Sequence, residues 1–175
     1  MTPQPIFTIG HSTLPIDEFV VLLTRNGIWQ LADVRTVPRS RRHPQFNKET
    51  LGETLAEHGI VYQHFPPLGG LRTPRSDSPN SAWQHSGFRG YADHMQTSEF
   101  AQGLDGLLQF ASRGPTAVMC AEAVWWRCHR RLLADALLVR HVTVRHILPS
   151  GDPKPHELSE FARVDGLMLT YPGLV

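Results

Sequence analysis

The chain has 175 residues, 41% hydrophobic and 19% charged, a size that suits one α/β domain spanning 1–175 with a core of its own. No apolar run approaches the about 18 residues that cross a bilayer. Two cysteines without a secretory signal lead us to expect a reducing, cytoplasmic setting rather than a disulfide scaffold. The net charge of +1 conceals an uneven distribution: ten of the 17 Lys and Arg residues lie in segments 35–46, 66–90 and 121–131, where Asp77 and Glu122 are the only acids. That segregation predicts an electropositive face suited to an anionic ligand.

Taken in order, Ile6-Phe7-Thr8-Ile9 reads as a first strand, with Gly10-His11-Ser12 as its exit. Pro15 and Asp17 open a helix carrying Phe19, Val20, Leu22 and Leu23, and Asn26-Gly27 closes it. A second strand runs from Ile28 to Val34 and leads into a loop rich in Pro and Arg. Asn47 is expected to cap a helix that His58-Gly59 stops. Ile60 to Phe65 forms a third strand, ended by Pro66-Pro67. The stretch from Leu68 to Gly90 shows no periodicity, and loops of that length in compact proteins tend to be functional. A helix with one break is predicted over 91–111, then a strand over 116–120, a helix from Cys128 to about Val139 and a strand over 142–148. The tail reads as a weak helix near His156–Phe161 and a hairpin turning at Asp165-Gly166. Strands alternating with helices imply βαβ units and a mostly parallel sheet flanked by helices; strand order stays open.

The polar residues then punctuate several strands at one end: His11 and Ser12, Asp33 and Arg35, His64, Cys120 and Glu122, His146. Parallel strands share a direction, so these ends meet at the carboxyl edge of the sheet, where ligands of such folds bind. The densest stretch runs from Cys120 to Arg131, with both cysteines, Glu122, His129, Arg127 and Arg130. Cys128 and His129 are expected in the first turn of a helix, where N–H groups and the helix dipole favour a thiolate or a phosphate. Glu122 and Asp33 are candidates to divide general acid and base roles, unless Asp33 pairs with Arg35. A phosphatase-type loop needs five residues between Cys and Arg; Cys120 to Arg127 leaves six, which argues against it. Zinc is disfavoured, because adjacent Cys-His rarely chelates one ion, and the reading carries neither metal nor cofactor. Of Trp125 and Trp126, packing of both is the plainer reading, with stacking on a ligand ring the alternative.

Thr8-Ile9-Gly10-His11-Ser12, Asp33-Val34-Arg35, Pro38-Arg39-Ser40, Pro44-Gln45-Phe46, Leu68-Gly69-Gly70, Phe88-Arg89-Gly90-Tyr91 and Cys120-Ala121-Glu122…Cys128-His129-Arg130 occur in this order. From about Phe7 to His146 the chain resembles the bacterial and archaeal family known as domain of unknown function 488. It departs at Trp125, where a proline or polar residue is expected, and at Arg131, where serine is common. The resemblance implies a compact α/β fold and a cytoplasmic bacterial protein. It also implies a shared site of His11, Ser12, Asp33, Arg35, Glu122, Cys128, His129 and Arg130. It supplies no reaction.

Two functions are weighed. The first is an enzyme acting on a phosphate-bearing ligand related to nucleotides or nucleic acid. Arg35, Arg130 and Arg127 would hold the anion, beside Cys120 and His129, with Ser12 orienting the ligand. Glu122 or Asp33 would act as acid or base, His11 as proton shuttle and Cys128 as a subsidiary nucleophile. The second is a non-catalytic module that binds nucleic acid or nucleotide, whose affinity would fall with salt. No membrane partner is expected, and the oligomeric state is open.

Overall fold

The computed structural model describes residues 4–174. Strands β1 (Ile6–Gly10), β2 (Gln30–Asp33), β3 (Val61–His64), β4 (Thr116–Cys120) and β5 (Val144–His146) run parallel, and β6 (Lys154–Pro155) adds an antiparallel edge. The order across the sheet is β3-β2-β4-β1-β5-β6. Helices α1 (Ile16–Arg25), α2 (Lys48–Glu57), α3 (Ser86–His94), α4 (Ser98–Ala111) and α5 (Arg130–Val139) join these strands. A separate hairpin pairs β7 (Arg163–Asp165) with β8 (Met168–Thr170). The mostly parallel α/β sheet and the small C-terminal hairpin agree with the sequence reading.

Alternation along each strand sorts side chains onto two faces. Ile9, Leu31, Ala117 and Met119 pack with Phe19, Leu23, Leu51 and Leu55 under α1 and α2. Ile6, Ala32, Val118, Cys120 and Val144 face Leu104, Leu107, Leu132, Leu133 and Leu137 under α4 and α5. The connection leaving β1 thus covers one face and the one leaving β4 the other. Ligands of open α/β sheets bind in the crevice between two such neighbours.

Several boundaries differ from those predicted, each for a local reason. The helix expected at Cys128 begins at Arg130, because Trp125–Arg127 forms a 3-10 turn and Cys128 is extended. The helix placed over 91–111 begins at Ser86, where His85 accepts the Gly87 N–H, and breaks once before Thr97 caps α4. Asn47 stands at the start of α2, but its Oδ1 accepts the Ser40 N–H at 2.7 Å and so pins the arginine-rich loop instead of capping the helix. The tail forms no helix at His156–Phe161. The His156 N–H bonds the Val144 carbonyl, and the Ser159 N–H bonds Asp135, so tertiary bonds replace helical ones there.

Asp135 is the anchor of that tail. Buried within α5, its carboxylate accepts from His156 Nε2 at 2.7 Å, the Ser159 N–H at 3.1 Å and the Tyr171 hydroxyl at 2.8 Å. Asp135→Asn removes acceptor capacity from three buried donors. It should lower unfolding free energy by about 1–3 kcal/mol and speed amide hydrogen exchange over 154–171 more than in the sheet. Uniform exchange across the chain would show that the carboxylate does not hold the tail.

Candidate functional site

At the crevice the exits of β1 and β4 lie against one another. His11 and Ser12 donate their N–H groups to the Cys120 and Ala121 carbonyls, each at 3.0 Å. A Cβ on Gly10 would sit 1.8 Å from the Glu122 carbonyl oxygen, so only glycine fits this crossing. Ser12 adopts a left-handed φ of 46° to turn out of it.

The two cysteines converge here. Cys120 Sγ and Cys128 Sγ are 2.7 Å apart, both buried, with the Cys120 thiol also directed at the Glu122 carbonyl. Cys128 Sγ accepts the Arg130 N–H at 3.4 Å and lies 3.5 Å from His129 Nδ1. His129 Nε2 is 2.9 Å from the Val34 carbonyl, which can only accept, so Nε2 carries a proton and Nδ1 is left to exchange one with Cys128. Gly70 backs this ring: a Cβ there would come 3.0 Å from Nδ1. Sulfur, imidazole and an orienting carbonyl form the arrangement that activates a nucleophile.

Arg130 completes the cluster. It is 1% exposed, and among the described residues no Asp or Glu forms an ion pair with it. Its Nη2 donates to the Glu122 carbonyl at 2.6 Å and its Nη1 to Thr8 Oγ1 at 3.3 Å, while Nε has no partner. A buried cation without a carboxylate calls for another anion, and the sulfur pair is beside it. Burial alone would raise the Cys128 pKa; the hydrogen bond with Cys120, His129 and the Arg130 charge outweigh it and hold this thiol well below its ordinary value. Burial and the bond to Cys128 push Cys120 the opposite way. The pair is asymmetric, with Cys128 the more acidic of the two thiols.

Asp33 faces the other side of the sheet. Its carboxylate accepts from the Arg35 N–H and Nε at 3.0 and 2.9 Å, from Arg35 Nη2 at 2.7 Å and from the Tyr62 hydroxyl. Those four bonds use the acceptor sites of a carboxylate. Arg35 Nη1 donates to His11 Nε2 at 3.3 Å, and His11 Nδ1 donates to the Ser12 carbonyl. With both nitrogens engaged and its ring stacked on Phe46 at 4.2 Å, His11 is held neutral. Burial lowers its pKa to about 4, with the Arg35 charge adding to the effect. Tyr62 was not singled out in the sequence; one tyrosine in a short strand carries no signal of its own.

A second buried chain of bonds runs the other way from Arg130. Thr8 Oγ1 is 2.6 Å from His146 Nδ1, His146 Nε2 is 2.9 Å from His156 Nδ1, and His156 Nε2 reaches Asp135. Arginine can only donate and carboxylate can only accept, so with both histidines in their neutral forms every donor in this chain points from Arg130 towards Asp135. Trp125 stacks on His146 at 4.0 Å and 2°, while Trp126 is 46% exposed. His146, grouped with the rim in the sequence reading, is therefore inside the protein. Burial, with the charges of His156 and Arg130, lowers its pKa to about 3. Asp135 could have been noticed as a lone acid among Leu132, Leu133, Ala134, Ala136 and Leu137; His156 and Tyr171 carry no such mark.

A cleft of about 670 Å³ opens onto the sulfurs. Its walls include Arg35, Thr36, Val37, Leu71, Phe88 and His85, and also Cys120, Glu122, Arg127, Cys128 and His129. The Glu122 carboxylate accepts the Ala123 N–H and is otherwise exposed to the cleft. His11, Ser12 and Arg130 stand behind this lining. Among the described residues, no group of three or more His, Cys, Asp or Glu side chains is arranged to hold a metal ion, and no helix is long and apolar enough to cross a membrane.

These features define a layered α/β protein with a thiol pair at the switch point of its sheet. The family model described as Domain of unknown function DUF488 matches residues 15–137, more than half of the chain, and the chain belongs to that family. No curated protein and no solved structure matches it significantly. The matched segment begins after His11 and Ser12 and ends before His146.

His11 and His146 have folded pKa values below the ordinary 6.5, so they bind fewer protons in the folded than in the unfolded chain. Their contribution to stability is complete above pH 6.5. It is lost as pH falls towards about 4 for His11 and about 3 for His146. Each removes up to about 1.4 kcal/mol per pH unit in that window. Urea midpoints measured between pH 7 and 5 should fall, and His146→Asn should flatten the slope; an unchanged slope would contradict this assignment.

Proposed function

We propose that the protein is an enzyme acting through Cys128 on a small organic ligand that carries an anionic group, phosphate in the first place. The observation that carries this reading is the contact of Cys128 with His129 Nδ1 while Val34 holds the far side of the imidazole. Cys128 attacks as the thiolate, and His129 stores its proton and returns it to the leaving group. Arg130 stabilises the thiolate from behind, and so serves the nucleophile in place of the ligand-binding role considered for it above. Arg127, exposed in the cleft wall, meets the anionic group. Glu122 is the carboxylate placed for acid or base work. Asp33, saturated by Arg35 and Tyr62, and His11, neutral behind them, serve as positioning residues in this reading.

The apolar part of the wall, formed by Val37, Leu71 and Phe88, suits the body of an organic ligand. A second reading, a nucleotide or nucleic-acid binding module without chemistry, is favoured by the exposed Trp126 ring beside Arg127. Binding that falls with salt and depends on Trp126, with Cys128 unreactive, would select it.

Iodoacetamide tests the nucleophile. At pH 7 and without denaturant Cys128 should alkylate about ten times faster than an ordinary thiol, and His129→Asn or Arg130→Met should remove most of that advantage. Alkylation that needs denaturant or pH well above 8 would end this reading. Phosphate-bearing ligands that enter the cleft should slow the reaction, and Arg127→Ala should weaken that protection.

A further inference from the structure

A nucleophilic cysteine needs a base and a positive neighbour, both of which Cys128 has. It does not need a second thiol in contact. Cys120 nevertheless places its sulfur 2.7 Å from Cys128, closer than unbonded sulfurs usually approach, and both line the same cleft. Cys120 ends a strand fixed in the sheet centre, while Cys128 lies in the extended link between a 3-10 turn and α5. One sulfur is therefore held and the other sits on a short segment able to adjust, as bond formation between them requires.

We propose that Cys120 and Cys128 are a two-electron dithiol–disulfide couple that reduces small carboxylate-bearing disulfides entering the cleft. The proposal rests on Cys128 being the nucleophile, and not on phosphate as the ligand. Cys128 thiolate attacks one sulfur of the substrate, its S–S bond breaks, and the departing thiolate takes the proton stored on His129. Cys128 is now joined to the remaining half. Cys120 gives up its proton to solvent through the cleft and attacks Cys128 Sγ, and the second thiolate leaves and is protonated. One substrate disulfide becomes two thiols, and the two cysteine thiols become one disulfide. The two electrons lost by the pair are those gained by the substrate. A second class of molecule, a low-molecular-weight thiol, returns the pair to its reduced form by the reverse exchange.

The second attack is intramolecular and between atoms already in contact, so it outruns release of a mixed disulfide. The division of labour follows from the surroundings: Cys128 has His129 and the Arg130 N–H, whereas Cys120 keeps its proton between Cys128 and the Glu122 carbonyl. Arg127 in the cleft wall supplies the charge for a substrate carboxylate, and Val37, Leu71 and Phe88 supply the apolar surface for its carbon chain.

The test uses the reduced full chain, glutathione disulfide as probe, acid quenching and intact mass. The wild type should lose the mass of two hydrogens and release two glutathione molecules per chain, with the new bond mapped to Cys120 and Cys128. Cys120→Ser should stop at one glutathionyl adduct on Cys128, and Cys128→Ser should not react. Arg127→Ala should slow the reaction several-fold with glutathione disulfide but not with neutral hydroxyethyl disulfide. A wild-type chain that keeps its adduct, or keeps both thiols free, overturns the couple whatever the variants do. If Cys128 still alkylates rapidly in that chain, the nucleophile stands without the couple; if it does not, both fall.

Discussion

A guanidinium withdrawn from water has to be met by negative charge or by a full set of acceptors, and Arg130 is met by neither in the ordinary way. One arm is tied to a backbone carbonyl, one to a threonine hydroxyl, and among the described residues no carboxylate answers its charge. Much of the surrounding arrangement reads as compensation. The sulfur pair lies on one side as a place for negative charge. On the other, bonds through Thr8, His146 and His156 lead from the cation to the Asp135 carboxylate. The loop after β4 is bent back so that the Glu122 carbonyl reaches the guanidinium, and that bend is what leaves no room beside Gly10.

The two-sided geometry of the sheet then separates polar residues that look equivalent along the chain. Thr8, Cys120 and His146 point to the face covered by α5, while Asp33 points to the face covered by α1 and α2. Two carboxylates on neighbouring strand ends thus belong to different environments. Glu122 is in the cleft, and Asp33 is enclosed with Arg35, Tyr62 and Phe46. Arg35 joins the two sides, buried and bonded to Asp33 and His11 inwardly while contributing to the cleft wall.

Strand and helix positions were largely legible because hydrophobic periodicity is a local signal; Thr116–Cys120 was read to the residue and the hairpin at Asp165-Gly166 fell where expected. The convergence of Cys120, Cys128, His129 and Arg130 was legible too, since all four occur within eleven residues on either side of one turn. The roles were less so. Nothing local distinguishes a His129 bonded to Val34 from one that faces solvent, because Val34 is ninety-five positions away. The same holds for Asp135 with Tyr171. Even the start of α5 differs from the predicted one: Trp125–Arg127 forms a 3-10 turn, with Trp125 stacked on His146 twenty-one positions away, and Cys128 is extended.

Residues 15–137 are the part of the chain that the family model matches, yet they do not form a structural unit. That interval leaves out β1, which lies between β4 and β5 in the middle of the sheet, and it leaves out every residue that bonds the Asp135 carboxylate. Excised at those limits, the polypeptide would carry both thiols, the imidazole and the arginine in the right order along the chain. It would lack the strand that Arg130 grips and the tail whose donors hydrogen-bond the Asp135 carboxylate at the far end of the relay. The matched interval and the folding unit have different edges, and the bonds around the thiol pair belong to the longer of the two.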